Sequence, residues 1–418
     1  MHDNTAIKKE RYIPVVVSEN TQVGKVSLDE LSRLLETAGA EALEYVIQKL
    51  PNADPATYVG SGKAHELKDM VSDLGADGII CDDELSPAQM RNLSDILECK
   101  VLDRTMLILD IFAKHAKTGE GKVQVELAQL KYRASHLAGL GRALSRLGGG
   151  IGTRGPGESK LESDRRAINH RISVLSKDIK EMVKVRETTR KKRSEDFIPT
   201  IAIVGYTNAG KSTLLNRLTG SEVLAENKLF ATLDPTTRVC RLPEGQEFLF
   251  TDTVGFISKL PHNLVDAFKS TLEEAKYADY ILHVLDASDP DAELHRQVVY
   301  DTLAELKISG KPVITAMNKT DEPGADRSLK DLQASACVNI SAKTGAGIDE
   351  LLKAIEKILR ESRERLDVVI PYSEGGLLSQ IRKYGRVVNE EYVENGIKIS
   401  AFVPRNIKGL AEKADLTG

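Results

Sequence analysis

The chain has 418 residues, 41% of them hydrophobic and 29% charged, with a formal net charge of −4. That length exceeds what one core serves and predicts several domains, and no run of 18 apolar residues is present to span a bilayer. The average charge conceals a division, because residues 122–196 carry 18 Lys plus Arg against 9 Asp plus Glu, making that stretch +9 and the remainder −13.

In chain order, YIPVVV (12–17) predicts a strand, and Leu31, Leu34 and Leu35 fall at helical spacing before Gly39. A helix near 64–73, a strand at 78–81, a helix opened by Ser86 and Pro87, a strand at 100–103 and an apolar helix from Met106 follow. Such alternation predicts a small α/β domain over 1–115 with a mostly parallel sheet. Next, Val123, Leu127, Leu130, Ala134 and Leu137, and then Ile168, Ile172, Leu175, Ile179 and Met182, recur in steps of three and four. They predict two long helices with narrow apolar seams, an antiparallel hairpin over 116–197. Between them GLGRALSRLGGGIGTRGPGES (139–159) holds eight glycines with Arg142, Arg146 and Arg154. Glycine on this scale disfavours helix, so the segment is expected to end both helices as a flexible basic tip suited to a polyanion.

After the charged linker RKKRSEDF, strands at 201–204, 247–251, 280–285, 312–317 and 337–340 alternate with helices at 211–218, 263–276, 290–308 and 347–362. This is the pattern of a doubly wound α/β domain, placed at 198–362. The remainder, 363–418, reads strand, helix, strand, strand, with Asn395-Gly396 as a turn, a small α+β appendix. The start of the chain lacks the continuous apolar core of a secretion signal. The four cysteines, Cys81, Cys99, Cys240 and Cys337, are too far apart for a metal clip. A cytoplasmic protein with reduced core thiols is therefore expected.

The chemistry concentrates in the third domain. Gly205-Tyr206-Thr207-Asn208-Ala209-Gly210-Lys211-Ser212 matches G-x-x-x-x-G-K-[ST] directly after the strand IAIV, and with Thr213 it opens a helix. The glycines let successive backbone N–H groups face phosphate oxygens, Lys211 neutralises the β and γ groups, and the Ser212 hydroxyl suits Mg²⁺. Asp252-Thr253-Val254-Gly255 ends the strand FLF, where the carboxylate can hold Mg²⁺ directly or through water and the Gly255 N–H can meet a γ-phosphate. Asn318-Lys319-Thr320-Asp321 and Ser341-Ala342-Lys343 follow two later strands. These boxes resemble those by which translation-factor-related GTPases read guanine: a carboxylate at Asp321 accepts from N1–H and the exocyclic amine, and the Ala342 N–H donates to O6. A buried acceptor left unpaired penalises adenine.

Between these boxes lies LFATLDPTTR (229–238), where the class places a Mg²⁺-binding threonine, with Thr232, Thr236 and Thr237 as candidates. Phe256 stands where many GTPases carry a water-orienting glutamine, so slow intrinsic hydrolysis completed by a partner is expected whether its ring packs in the core or lines the site. Asn208 lies where K⁺-stimulated GTPases carry a metal-ligating asparagine; a K⁺ ion there and a simple turn bond are both open readings.

The whole chain resembles the HflX family of ribosome-associated GTPases, through GYTNAGKST, FATLDPTTR and DTVGFI and, upstream, YVGSGK and GGGIGTRGPGES. The resemblance selects Thr232 for Mg²⁺ and adds Phe230, Ala231, Leu233 and Asp234 to the nucleotide site. It implies a monomer whose hairpin tip meets rRNA of the large ribosomal subunit, and whose GTP form splits ribosomes or keeps subunits apart. Scarcity of aromatic residues in the hairpin, where Tyr132 is the only one before Phe197 at its end, favours backbone over base recognition. YVGSGK is not a phosphate loop, since Thr57 stands where the first glycine belongs and Ala64 follows Lys63; a turn before a helix is the simpler reading. The rival reading is a GTP-controlled RNA-processing or ribosome-assembly factor, for which the sequence offers no second catalytic cluster.

Overall fold

The computed structural model describes residues 9–147, 156–195, 198–220, 229–230, 236–242, 247–259 and 274–416. The chain forms two compact units: Met1–Val183 with Glu226–Asp234 and Ile257–Thr271, and Lys184–Ala225 with Pro235–Phe256 and Leu272–Gly418. No helix among the described residues is long and apolar enough to cross a membrane.

In the first unit β1 (Arg11–Val17) is flanked by β4 (Gly78–Cys81) and by two short strands, β2 (Glu41–Ala42) and β3 (Val46–Gln48), while β5 (Lys100–Asp103) extends the sheet beyond β4. All pairings are parallel. The helices α1 (Thr21–Ala38), α2 (Ser61–Leu74), α3 (Pro87–Leu97) and α4 (Arg104–His115) begin and end on local chemistry. Asn20 accepts from Gln22 N–H at the start of α1, Gly39 closes it in the left-handed region, and Ser86 with Gln89 forms a reciprocal capping box behind Pro87. YVGSGK is a turn before a helix: Gly60 caps α2, which starts at Ser61.

Two groups of buried charge sit at the carboxyl ends of β4 and β5. Asp103 accepts from Leu85 N–H (3.1 Å), Met106 N–H (2.8 Å) and the Tyr132 hydroxyl (2.8 Å), joining the sheet to α4 and to α5 (Gly119–Leu147). Arg104, 1% exposed, pairs with Asp82 at 2.8 Å and Glu30 at 2.9 Å and donates to the Ser258 carbonyl. Lys259 adds contacts to Asp82 (2.6 Å) and Asp83 (2.8 Å). Leu229 and Phe230 are also held in this unit, Phe230 edge-on to Phe112 at 4.6 Å and Leu229 N–H on the Thr37 hydroxyl.

The hairpin pairs α5 with α6 (Pro156–Glu195), and Arg171 forks onto Glu126 at 2.8 and 3.0 Å. One expectation is corrected here, because α5 continues through 139–147 and α6 already starts at Pro156, so 139–159 is not wholly non-helical. Glycine costs a helix only about 1 kcal/mol per residue, which the Ala143 to Leu147 run of helix formers offsets, and proline is favoured in a first helical turn.

The second unit holds a six-stranded sheet ordered β11-β10-β9-β6-β8-β7. Its strands are β6 (Thr200–Val204), β7 (Thr236–Arg241), β8 (Glu247–Asp252), β9 (Tyr280–Asp286), β10 (Val313–Asn318) and β11 (Ala336–Asn339). Only β7, an edge strand absent from the sequence reading, runs antiparallel. α7 (Lys211–Thr219), α8 (Ala292–Glu305) and α9 (Ile348–Glu361) cover the sheet, α9 burying Leu351, Ile355, Ile358 and Leu359 at about 1.5–3 kcal/mol each. Most of the expected helix 263–276 lies outside the described residues. From residue 364, β12 (Glu364–Pro371), α10 (Gly375–Tyr384), β13 (Arg386–Val393), β14 (Gly396–Val403) and α11 (Arg405–Ala414) form an antiparallel sheet ordered β12-β14-β13 with its own apolar core.

Candidate functional site

The loop from Gly205 to Gly210 leaves β6 and turns into α7 at the carboxyl edge of the sheet, where doubly wound folds bind ligands. Gly210 has φ +95, and a Cβ there would lie 2.2 Å from Asn318 Nδ2, so both conformation and space require glycine. Gly255 is a second close approach, its Cβ position being 2.8 Å from Thr207 Cγ2 and 2.9 Å from Lys211 Nζ. The segment after β8 is zipped to the loop: Thr207 N–H donates to Phe256 O (2.8 Å), and Phe256 N–H to Gly205 O (3.1 Å). Tyr206 stacks on His295 of α8 with centroids 3.8 Å apart.

Lys211 is buried, with Nζ donating to the carbonyls of Gly205 (3.1 Å) and Tyr206 (2.8 Å). Burial pulls its ammonium down to about 8, with the Asp252 carboxylate opposing. The Ser212 hydroxyl lies 3.0 Å from Asp252 Oδ2. Two hard oxygen donors this close fit a Mg²⁺ ion, which takes carboxylate, hydroxyl and phosphate oxygens. Thr253 secures the turn, its hydroxyl on Ile203 O at 2.7 Å, and Val254 is buried beside it. Asn208 sits in the loop with φ +63, and Thr213 lies half-buried in the first turn of α7.

On the far side of the loop, Asn318 donates from Nδ2 to Ala209 O (2.7 Å) and accepts at Oδ1 from Ala342 N–H (2.9 Å). One side chain thus joins the phosphate loop to the Ser341-Ala342-Lys343 loop. The Ala342 N–H, read from the sequence as a donor to the base, is engaged by Asn318 in this structure. Lys319, with φ +62, pairs with Asp286 at 2.6 Å. The exposed Asp321 carboxyl is held below its ordinary value, chiefly by the hydroxyl of buried Ser341. Gly205–Ser212, Asp252–Gly255, Asn318–Asp321 and Ser341–Lys343 therefore line one end of one sheet.

Other expected residues fall elsewhere. Phe230 packs on Phe112 in the first unit. Ala231, Thr232, Leu233, Asp234 and Arg154 lie outside the described residues, and Arg142 and Arg146 are on the last turns of α5. Phe256 is 1% exposed in a core of Ala202, Val204, Ala275, Val299 and Leu303, so its ring packs rather than facing the site. Arg217, on which no motif falls, reaches from α7 to the Ala342 and Lys343 carbonyls.

Three family models match in the same order: a GTP-binding GTPase N-terminal region over 25–113, a GTP-binding GTPase middle region over 115–193, and a 50S ribosome-binding GTPase over 200–319. The chain is 56% identical to GTPase HflX of Lacrimispora saccharolytica over 409 residues, 97% of each chain. The chain belongs to the GTPase HflX family. GTPase HflX of Caldanaerobacter subterraneus subsp. tengcongensis is 48% identical (97% of this chain, 94% of that one), and that of Escherichia coli 43% (88% and 87%). Among solved structures, a GTP-binding protein from the archaeon Sulfolobus solfataricus in complex with GDP is 27% identical with a TM-score of 0.44, covering 84% of this chain and 98% of that one. As an HflX family member the chain is a GTP hydrolase built as a multidomain α/β protein.

Proposed function

We propose that this GTPase, in its GTP form, binds the large ribosomal subunit and splits ribosomes or holds the subunits apart, and that hydrolysis releases it. The observation carrying this reading is the match of 200–319 to a 50S ribosome-binding GTPase, joined to a hairpin stretch with a surplus of nine positive charges. In the proposed organisation, 1–115 and the hairpin 116–197 contact the subunit, Arg142, Arg146 and Arg154 meet rRNA phosphates, 198–362 holds the nucleotide and 363–418 is a separate appendix. The protein acts as a cytoplasmic monomer.

At the nucleotide, the loop N–H groups and Lys211 hold the β and γ phosphates. Ser212, Thr232 and Asp252 would hold Mg²⁺, which supplies charge neutralisation between those phosphates. Asp321 reads the N1–H and amine of guanine, and the Ser341–Lys343 loop reads O6. Gly255 N–H senses the γ-phosphate. With Phe256 packed in the core, no side chain at that position orients the attacking water, so turnover is slow until the ribosome completes the site, and Asn208 would hold K⁺ as an added positive charge.

Sedimentation with purified subunits tests this. The chain should travel with large subunits in a non-hydrolysable GTP analogue and stay in the supernatant in GDP. Equal binding in both nucleotides, or none in either, sinks the reading; a strict preference for assembly intermediates favours the assembly-factor alternative.

A further inference from the structure

The Ser341–Lys343 loop is held from both sides. Ser341 N–H bonds Ala346 O (2.9 Å), Gly345 N–H bonds Ser341 O (2.8 Å) and Thr344 N–H bonds the Ser341 hydroxyl (3.1 Å), so the turn closes on itself. Asn318 takes the Ala342 N–H. The guanidinium of Arg217 takes the opposite side, donating from Nε to Ala342 O at 3.2 Å and from a terminal nitrogen to Lys343 O. Because a trans peptide is planar, fixing the Ala342 carbonyl also fixes the Lys343 N–H, which points the other way. Arg217 lies six residues after Lys211, about 9 Å along α7, so one rigid helix carries the phosphate-binding residues at its start and grips this loop near its end.

We propose that Arg217 is a positioning residue for guanine selectivity: by clamping two successive carbonyls it orients the loop's N–H donors, Lys343 N–H above all, for the 6-oxo group of the base. The fork geometry is what the task requires, since two carbonyls on adjacent peptides need two donors in one plane, which an ammonium does not present. The proposal rests on the reading that this loop meets O6, and is independent of any ribosomal role.

The test measures affinities of the full-length protein for GDP, for IDP, which keeps O6 and the N1–H but lacks the 2-amino group, and for the diphosphate of 2-aminopurine riboside, which keeps the 2-amino group but lacks O6 and with it the N1–H. Arg217→Met should weaken GDP and IDP by the same factor of about ten while changing 2-aminopurine diphosphate by less than about twofold, and Arg217→Lys should recover part of the loss. Equal losses for all three nucleotides, or none, overturn the proposal. Should Arg217→Met fold poorly by thermal melting, the same three ratios read in Arg217→Lys decide it. A wild-type protein that binds 2-aminopurine diphosphate as tightly as GDP overturns the base-reading itself, whatever Arg217 does.

Discussion

Lys211 is where burial and charge meet most directly. Its pKa of about 8 lies below the ordinary lysine value because desolvation disfavours the ammonium, and a bound phosphate restores that charge. Above pH 8 the nucleotide-free site has lost a proton that the complex holds, so binding takes one up and weakens as pH rises. GDP affinity should fall about fourfold between pH 7 and 8.5, with proton uptake visible by calorimetry in buffers of different ionisation enthalpy. A flat profile without proton uptake contradicts the buried, depressed lysine. Phe256 gives a second outcome. Since its ring fills a core rather than facing the nucleotide, Phe256→Gln places an amide among apolar side chains. It should cost about 2–4 kcal/mol of stability without raising the single-turnover rate of GTP hydrolysis; a faster variant shows that position 256 reaches the water. Much at this scale is legible in sequence because glycine, lysine and asparagine at fixed spacing have few structural substitutes. The fate of the Phe256 ring is not, since an aromatic after DTVG has the same letter in a core as in a site.

Elements divide by how local their causes are. β6, β9 and β10 read directly from apolar runs, because each of these three strands is buried on both faces, and α7, α8 and α9 from helical spacing. The strands β2, β3 and β7 escape such reading: β2 and β3 are two and three residues long, and β7, Thr-Thr-Arg-Val-Cys-Arg at a sheet edge, has no apolar run. Their pairing partners define them. α11 escapes because, among its residues whose burial is described, the buried positions are Ile407 and Ala411 alone. The charge cluster at the end of β4 is likewise tertiary, since Asp82, Arg104 and Lys259 are far apart in sequence. Asp82 is fully buried, and its carboxyl is raised by desolvation against the pull of Arg104 and Lys259. Removing one partner of a buried pair leaves the other charge uncompensated, so Asp82→Ala should destabilise the first unit by about 3–5 kcal/mol. A urea or thermal unfolding transition reads the loss. A change below about 1 kcal/mol would mean that Glu30 and solvent suffice for Arg104.

At the scale of the molecule, charge and fold are distributed unequally: an overall −4 chain places +9 on 122–196. Helix faces at solvent are often basic without a partner, so the surplus alone decides little, and ionic strength is the variable that separates the cases. Each phosphate neutralised by a protein cation releases condensed counterion, and affinity then falls with salt at a slope of about 0.7–0.9 per contact. If Arg142, Arg146 and Arg154 meet rRNA, replacing all three by alanine should flatten the plot of log affinity for the large subunit against log salt by about 2–3 units of slope. GDP binding should be unchanged, because the proposed nucleotide residues lie in 198–362 and none of these arginines does. An unchanged slope with weaker binding would place the arginines in packing or in protein contacts. An unchanged slope with unchanged affinity would make the basic hairpin a solvated face and leave ribosome contact to other surfaces.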